Sequence, residues 1–287
     1  VSGRLHLGLP MWANADWRGS LYPAHDTPET RLGDYASLFS AVEGNTTFYS
    51  GAPREETVAT WARQAPAGFR FCFKLPAALT HERRLRDVEA DVDHFLLRLA
   101  PLQDRLGPIM VQLPRDFDSE GLPQLERLLE RWPESIPCAV EVRHSEFFHK
   151  GSAEMALNRL LISYGVDRVM LDVRPLFSTP ANSDSRLSKA QSEKPKRPLH
   201  VLSTADRPVI RFIGHVDNAI NEHYFRPWSE RINLWIKQGK TPFLFVHTPD
   251  NRHAPQLARC LHEQLRQHDP ALPELPRFPG DVQAALF

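Results

Sequence analysis

Eight short apolar runs recur along the chain, at residues 5–8, 41–45, 69–74, 109–113, 138–143, 168–173, 209–214 and 243–247, and most end on a charged or hydrogen-bonding residue. The segments between them carry apolar positions at helical spacing. Residues 30–40 put Leu32, Tyr35, Leu38 and Phe39 on one face; 55–64 do so with Val58 and Trp61, and 88–106 with Val92, Phe95, Leu96, Leu99 and Leu102. Residues 122–132, 153–164, 228–237 and 254–267 follow the same pattern. Strand and helix alternating eight times predict an α/β fold, a single TIM-like (β/α)8 barrel over residues 1–287, a length that such barrels commonly fill as one domain. The exception is 175–208, where Ser, Pro and basic residues replace the periodicity, with a short helix expected at 184–191. A connection this long in a compact domain is more often functional than idle. Its Arg186, Lys189, Lys194, Lys196 and Arg197 could reach over the strand ends as a lid or form a solvated excursion.

Alternate residues of a strand face opposite sides, so the runs also predict what points into the barrel. In the fifth run Ala139, Glu141 and Arg143 share one face, while Val140 and Val142 must meet the helices. In the third, Phe69, Phe71 and Phe73 go outward and Arg70, Cys72 and Lys74 inward. The remaining runs give inward His6, Glu43 with Asn45, Gln112, Asp172, Arg211 with His215, and Phe245 with His247. The layer at the C-terminal strand ends, where barrel active sites lie, would hold Glu43, Glu141 and Asp172 against Lys74, Arg143 and Arg211. Buried charge at that density requires pairing, so an interlocking ionic network is expected.

Composition narrows the partners. Thirty-five basic and 35 acidic residues cancel, so the whole molecule has no bulk attraction for nucleic acid or anionic lipid and any such binding is local. Three cysteines leave one unpaired, two of them inside predicted strands, which reads as buried thiols of a reducing, cytoplasmic setting. There is no basic-then-apolar leader and no run near ~18 apolar residues, so no membrane association is expected.

A divalent metal could draw on Glu43, Glu141, Asp172, His215 and His247, but three cations at the same level would repel it, so no metal or other cofactor is expected. Lys74, Arg143 and Arg211 instead suit a small anionic ligand, since Arg presents a planar fork to carboxylate or phosphate. Trp12, Trp17, Tyr22, Phe48 and Tyr49 follow the first two strands, and flat rings beside cations fit a sugar or nucleobase bearing an acidic group. His81 after the third strand and Asp250 after the eighth extend this rim, alongside Asn45 and Gln112. Proton transfer is assigned to Glu43, Glu141, Asp172, His215 and His247; ligand binding to Lys74, Arg143, Arg211, Trp12, Asn45, Tyr49, His81, Gln112 and Asp250. The alternatives are nucleic-acid binding through the basic 186–197 segment, a ligand sensor without turnover, or charges that only satisfy one another. No nucleophile elbow, Walker loop or dinucleotide fingerprint supports a nucleophilic hydrolase or nucleotide-cofactor enzyme.

At the same residues the chain resembles a known family. Leu7-Gly-Leu-Pro-Met-Trp12, Val42-Glu-Gly-Asn-Thr-Thr-Phe-Tyr49, Phe69-Arg-Phe-Cys-Phe-Lys74 and Thr80-His81 are followed by Gln112-Leu-Pro114, Val140-Glu-Val-Arg-His144, Arg211-Phe-Ile-Gly214 and Phe245-Val-His-Thr-Pro-Asp250. In that order they are similar to the YecE-like bacterial proteins, a domain of unknown function, over about residues 5–265. The resemblance implies a TIM-like barrel with a polar pocket on the C-terminal side of the strands, and no established reaction.

Overall fold

In the computed structural model, which describes residues 3–284, eight parallel strands form one sheet in the order β3-β2-β1-β8-β7-β6-β5-β4. They are β1 (His6–Leu9), β2 (Ala41–Gly44), β3 (Arg70–Phe73), β4 (Ile109–Gln112), β5 (Cys138–Glu141), β6 (Asp167–Asp172), β7 (Val209–Ile213) and β8 (Phe243–His247). The two edges come together at β3 and β4, where Gly107 N donates to Phe71 O and Leu75 N to Met110 O, so the sheet is a nearly closed TIM-like barrel. Gly8 is required at the β1–β2 seam: a Cβ there would lie 2.1 Å from the Ala41 carbonyl oxygen.

The apolar alternation sorts each strand. Ala41, Cys72, Met110, Ala139, Val169, Val209, Phe243 and Phe245 fill the interior as a separate buried cluster. Val42, Phe71, Val111, Val140, Phe212 and Val246 face outward into the main core beneath the helices. The outward phenylalanines of β3 meet one another and Trp61, with Phe71 and Phe73 stacked at 5.4 Å.

The outer ring comprises α1 (Arg31–Leu38), α2 (Thr46–Ser50), α3 (Glu55–Gln64), α4 (Glu89–Leu99), α5 (Leu122–Glu130), α6 (Ser152–Ser163), α7 (Ser185–Glu193), α8 (Asn218–Lys237), α9 (Ala254–His268) and α10 (Pro279–Ala284). Two predicted helices end differently. The expected helix over 88–106 stops at Leu99, and tighter 3-10 turns containing Pro101 carry the chain through Arg105. The helix expected at 228–237 begins ten residues earlier, where the Asp217 side chain accepts from Ala219 N, and Pro227 is accommodated inside it. Among the described residues no helix is long and apolar enough to cross a membrane.

The 175–208 connection is ordered by its own small core. Leu187 and Ala190 of α7 pack with Leu176 on Val173 and Ile213, at the C-terminal ends of β6 and β7. Asp184 caps α7, and Gln191 Nε2 donates to the carbonyls of Leu176 and Thr179 at 2.8 and 2.9 Å. Beyond α7, Arg197 Nε donates to Arg143 O at 2.8 Å and fastens the segment to the end of β5. The connection therefore lies against the C-terminal mouth of the barrel.

Candidate functional site

Above the apolar inner layer the strands end in charge. Arg211 of β7 is the hub. Its Nε and Nη2 donate to both oxygens of Glu43 at 2.8 Å each, and its Nη1 donates to Glu141 Oε2 at 2.7 Å. The other oxygen of Glu141 accepts from Arg143 Nε at 2.8 Å and Nη2 at 2.7 Å. Lys74, just past β3, donates to Gln112 Oε1 at 2.9 Å and lies 3.3 Å from Glu43 Oε1. His247 Nε2 is 3.0 Å from Glu43 Oε2. Strand parity thus brings seven of the predicted residues into one buried network: Glu43, Lys74, Gln112, Glu141, Arg143, Arg211 and His247.

The electrostatics of this layer are uneven. Burial alone would raise both carboxyls, but Arg211 first, then His247 and Lys74 at Glu43 and Arg143 and Lys74 at Glu141, hold them well below the ordinary carboxylate range. Burial opposes charge on Arg211 too, yet Glu141 and Glu43 more than compensate and keep it protonated. His247 is pushed down to about 4, chiefly by burial, so near neutrality its ring is uncharged and its Nε2–H donates to the ionised Glu43. Lys74 is pushed down to about 7 by burial first and Arg211 second. The two carboxylates of the site are fixed as anions, while an amine titrates near neutrality.

One participant was placed only loosely by the sequence. Lys194, at the end of α7, is also lowered, to about 8, by burial first and then Arg211, with Glu43, Arg143 and Glu141 contributing. Its ammonium makes no hydrogen bond or ion pair with any described residue. The signal in the sequence was the run of basic residues in 175–208, which named five candidates and could not choose among them. Arg197 is occupied by a backbone carbonyl, Arg186 pairs with Asp184 at 3.0 Å, and Lys189 is exposed.

Four other predicted residues line the rim. His81 sits in a single wide π-turn (Ala78–Glu82), its Nδ1 2.9 Å from Thr80 Oγ1 and its ring edge-on to Phe48 at 5.0 Å. Burial and then Arg143 keep it less basic than a free histidine. Phe48 also turns its ring face to Lys74, with Nζ 5.8 Å from the ring centre. Trp12, Asn45 and Tyr49 border a cleft of about 750 Å³ that also touches Glu43, Arg54 and Trp61. Tyr49 is 83% exposed, so packing does not account for its ring, whereas Trp12 stands edge-on to Trp61 at 5.4 Å. Trp17 and Tyr22, grouped with this rim by the sequence, are instead fully buried packing residues.

Three predicted site residues lie apart. Asp172 was expected to face the interior and does not. Val169 belongs to the inner cluster and Leu171 pairs in register with Arg211, so Asp172 falls on the outer face of β6. There it accepts from Trp228 Nε1 of α8 at 2.8 Å and from Arg174 Nη2 at 2.7 Å. His215 is locked beside the 175–208 connection: its Nδ1 accepts from Asp217 N, leaving Nε2–H to donate to Thr179 Oγ1 at 2.8 Å. Asp250 is exposed, 3.9 Å from Arg186. Among the described residues no three His, Cys, Asp or Glu side chains group to hold a metal ion: Glu43 and Glu141 are bridged by Arg211, His247 meets Glu43 alone, and Asp172 and His215 point elsewhere.

Comparison with known proteins places this geometry in a family. The model for "protein of unknown function DUF72" matches residues 6–280. The UPF0759 protein YecE of Escherichia coli K12 is 41% identical over 284 residues, covering 99% of this chain and 100% of that protein. The UPF0759 protein YunF of Bacillus subtilis is 28% identical over 54% of this chain and 56% of its own length. Among solved structures, DUF72 proteins from Thermotoga maritima and Enterococcus faecalis superpose with TM-scores of 0.70 and 0.67, at 22% and 18% identity. They cover 92% and 93% of this chain, and 99% and 97% of their own chains, and share its fold. With a full-length relative at this identity and a family match across the barrel, the chain belongs to the DUF72 family, as a YecE-like member.

Proposed function

We propose that the C-terminal mouth of the barrel binds a small organic anion, a carboxylate or phosphate on a sugar-sized molecule, and that the protein transforms it by proton transfer. The observation that carries this reading is the imbalance of the buried layer. Glu43 and Glu141 face Arg211, Arg143, Lys74 and Lys194, leaving two positive charges in surplus when both lysines are protonated. Arg143, its side chain 14% exposed against 2% for Arg211, is the guanidinium a ligand can reach, and Lys194 makes no hydrogen bond or ion pair among the described residues. The aromatic cleft beside Glu43 offers room for an uncharged portion.

The expected proton carriers change with this reading. Glu43 and Glu141 are held as anions over the physiological range, so they orient cations and relay protons rather than store them. Lys74 and Lys194 are the groups poised near neutrality. The nucleic-acid alternative draws less support, since Arg186 and Arg197 of the basic segment are already engaged.

A thermal-shift screen of uronic acids, sugar phosphates, nucleotides and short oligonucleotides tests the reading. A ligand at ~100 times its dissociation constant adds about 2.7 kcal/mol. Stabilisation by a small anion that is lost in Arg143→Ala supports the mouth as the site. Stabilisation by oligonucleotides alone, falling steeply with salt, would replace this reading with the nucleic-acid one.

A further inference from the structure

We propose that Lys74 is a nucleophilic amine that forms an imine with the carbonyl carbon of a substrate bearing an acidic group, an inference that rests on the anion-binding reading above. The substrate class is an aldehyde or ketone with a carboxylate or phosphate nearby, such as a 2-oxo acid or a phosphorylated keto sugar.

The first argument is that Lys74 is redundant as a counter-ion. Glu43 already has both oxygens satisfied, by the two-point contact from Arg211 and by His247 Nε2. Burying a further ammonium beside Arg211 opposes stability, and this fourth contact to Glu43, at 3.3 Å, is the longest of the set. The second argument is position. Lys74 leaves the C-terminal end of a barrel strand with its Nζ oriented by Gln112 Oε1, above the inner apolar layer and below the rim made by Phe48 and His81. Nucleophilic lysines are activated by a desolvated pocket and a neighbouring cation, and this one has burial and Arg211. The third is a relay. The Glu43 carboxylate touches the same nitrogen and binds a proton too weakly to keep it.

The step balances without an oxidant or reductant. The neutral amine of Lys74 attacks the carbonyl carbon, forming the C–N bond as the carbonyl π pair moves to oxygen. Glu43 passes the proton from nitrogen to that oxygen, giving a carbinolamine. The hydroxyl then leaves with a second proton as water while the nitrogen lone pair forms the C=N bond. Amine and carbonyl thus become imine and water. Arg143 and Lys194, the reachable guanidinium and the unpartnered ammonium, would hold the acidic group and orient the carbonyl toward Nζ.

Reductive trapping tests this on the full chain. The protein is incubated with glyoxylate, pyruvate or dihydroxyacetone phosphate and sodium cyanoborohydride, then mapped by peptide mass spectrometry, with a thermal shift recorded for each compound without reductant. The expected result is one reductant-dependent adduct on Lys74, absent from Lys74→Met, whose rate of formation rises through about pH 7. The concentration for half-maximal trapping should rise about tenfold in Arg143→Ala, the loss of one charged hydrogen bond. Mapping on the unaltered chain decides the site even where Lys74→Met does not fold. Adducts spread over surface lysines such as Lys189, or confined to Lys194, would overturn the assignment. Compounds that stabilise the protein but leave no adduct would also overturn it while leaving the anion reading standing. Neither stabilisation nor adduct from any of them would remove both.

Discussion

Replacing Arg211 by Met is the most direct test of the charged layer, because it removes the hub and leaves its volume nearly filled. Three charge-assisted hydrogen bonds disappear, at 2.8, 2.8 and 2.7 Å. Counted singly at roughly 1.5–3 kcal/mol each, they would set a loss of up to about 9 kcal/mol. The actual loss should be smaller, since Glu43 retains His247 and Lys74 and Glu141 retains Arg143. It should fall near the ~3–5 kcal/mol typical of breaking a buried pair from one side. For 287 residues, about 2.1 cal/mol/K each gives an unfolding entropy near 0.6 kcal/mol/K, so the midpoint should drop by about 5–8 °C. The pH dependence is the sharper readout. Glu43 and Glu141 are depressed in the folded state, so their contribution is fully present above the unfolded carboxylate value of about 4.3 and is lost as pH falls toward their folded values. The variant has already lost most of that contribution. Denaturant titrations should therefore show the gap between the two proteins widest above about pH 5 and closing below it, by up to about 1.4 kcal/mol per pH unit for each carboxylate. A deficit under ~1 kcal/mol, or one that stays constant from pH 7 to pH 3.5, would refute the electrostatic account of this layer.

Three further expectations rest on the burial and contacts of single residues. Lys74 titrates near 7 when folded and about 10.4 when unfolded, so between these values the unfolded chain binds the extra proton and stability from this group rises with pH. The stability of the unaltered protein minus that of Lys74→Met should grow from pH 7 to pH 10, and a flat difference would count against a suppressed amine. Asp172→Ala should cost ~1–3 kcal/mol by leaving the buried Trp228 N–H without an acceptor, with the response to anions unchanged. Loss of the anion response in that variant would return Asp172 to the site. Of the three thiols, Cys72 and Cys138 are buried and pushed up by burial, so a disulfide reagent on the native protein should titrate Cys260 alone. Equal reaction of all three without denaturant would contradict the burial of Cys72 inside the barrel and of Cys138 beneath the helices.

Much of the barrel and its charged mouth was legible because both depend on period-two alternation. Runs with a strong contrast between faces, such as Phe69–Lys74 against Arg70 and Cys72, admit one orientation only. The sixth run failed for a different reason. In Arg168-Val-Met-Leu-Asp-Val173 the face bearing both charges points outward, Arg168 to Glu154 and Asp172 to Trp228, so assigning the charged face to the interior selected the wrong register. The chemistry of Asp172 was visible, but its Trp228 partner lies 56 residues away on a helix whose first half was itself hidden behind Pro227. Lys194 could not be singled out from the four other basic residues of its segment for a third reason: the fold of 175–208 rests on a few contacts of Leu187 and Ala190 with Val173 and Ile213, which no periodicity announces.

The charged layer is also not what makes the barrel stable. The layer directly below it is closed by Ala41, Cys72, Met110, Ala139, Val169, Val209, Phe243 and Phe245, so the same strands pack an apolar interior without difficulty. Continuing that interior upward in place of Glu43, Lys74, Glu141 and Arg211 would avoid the desolvation of four ionic groups, and such replacements are commonly neutral or stabilising. The placement of the charges is selective. They occupy the C-terminal end of the barrel, carry a positive surplus in a chain of zero net charge, and include one guanidinium and one ammonium with capacity to bind something else. A purely structural network would satisfy its own members. This one leaves Lys194 without a hydrogen bond or ion pair among the described residues and holds Lys74 near neutrality, and both departures suit the anion proposed for the mouth. A variant with Lys74→Met and Arg211→Met combined with Glu43→Gln and Glu141→Gln should accordingly recover most of the stability lost in Arg211→Met while losing the response to anions. Failure to recover stability would show that the network is needed for the fold.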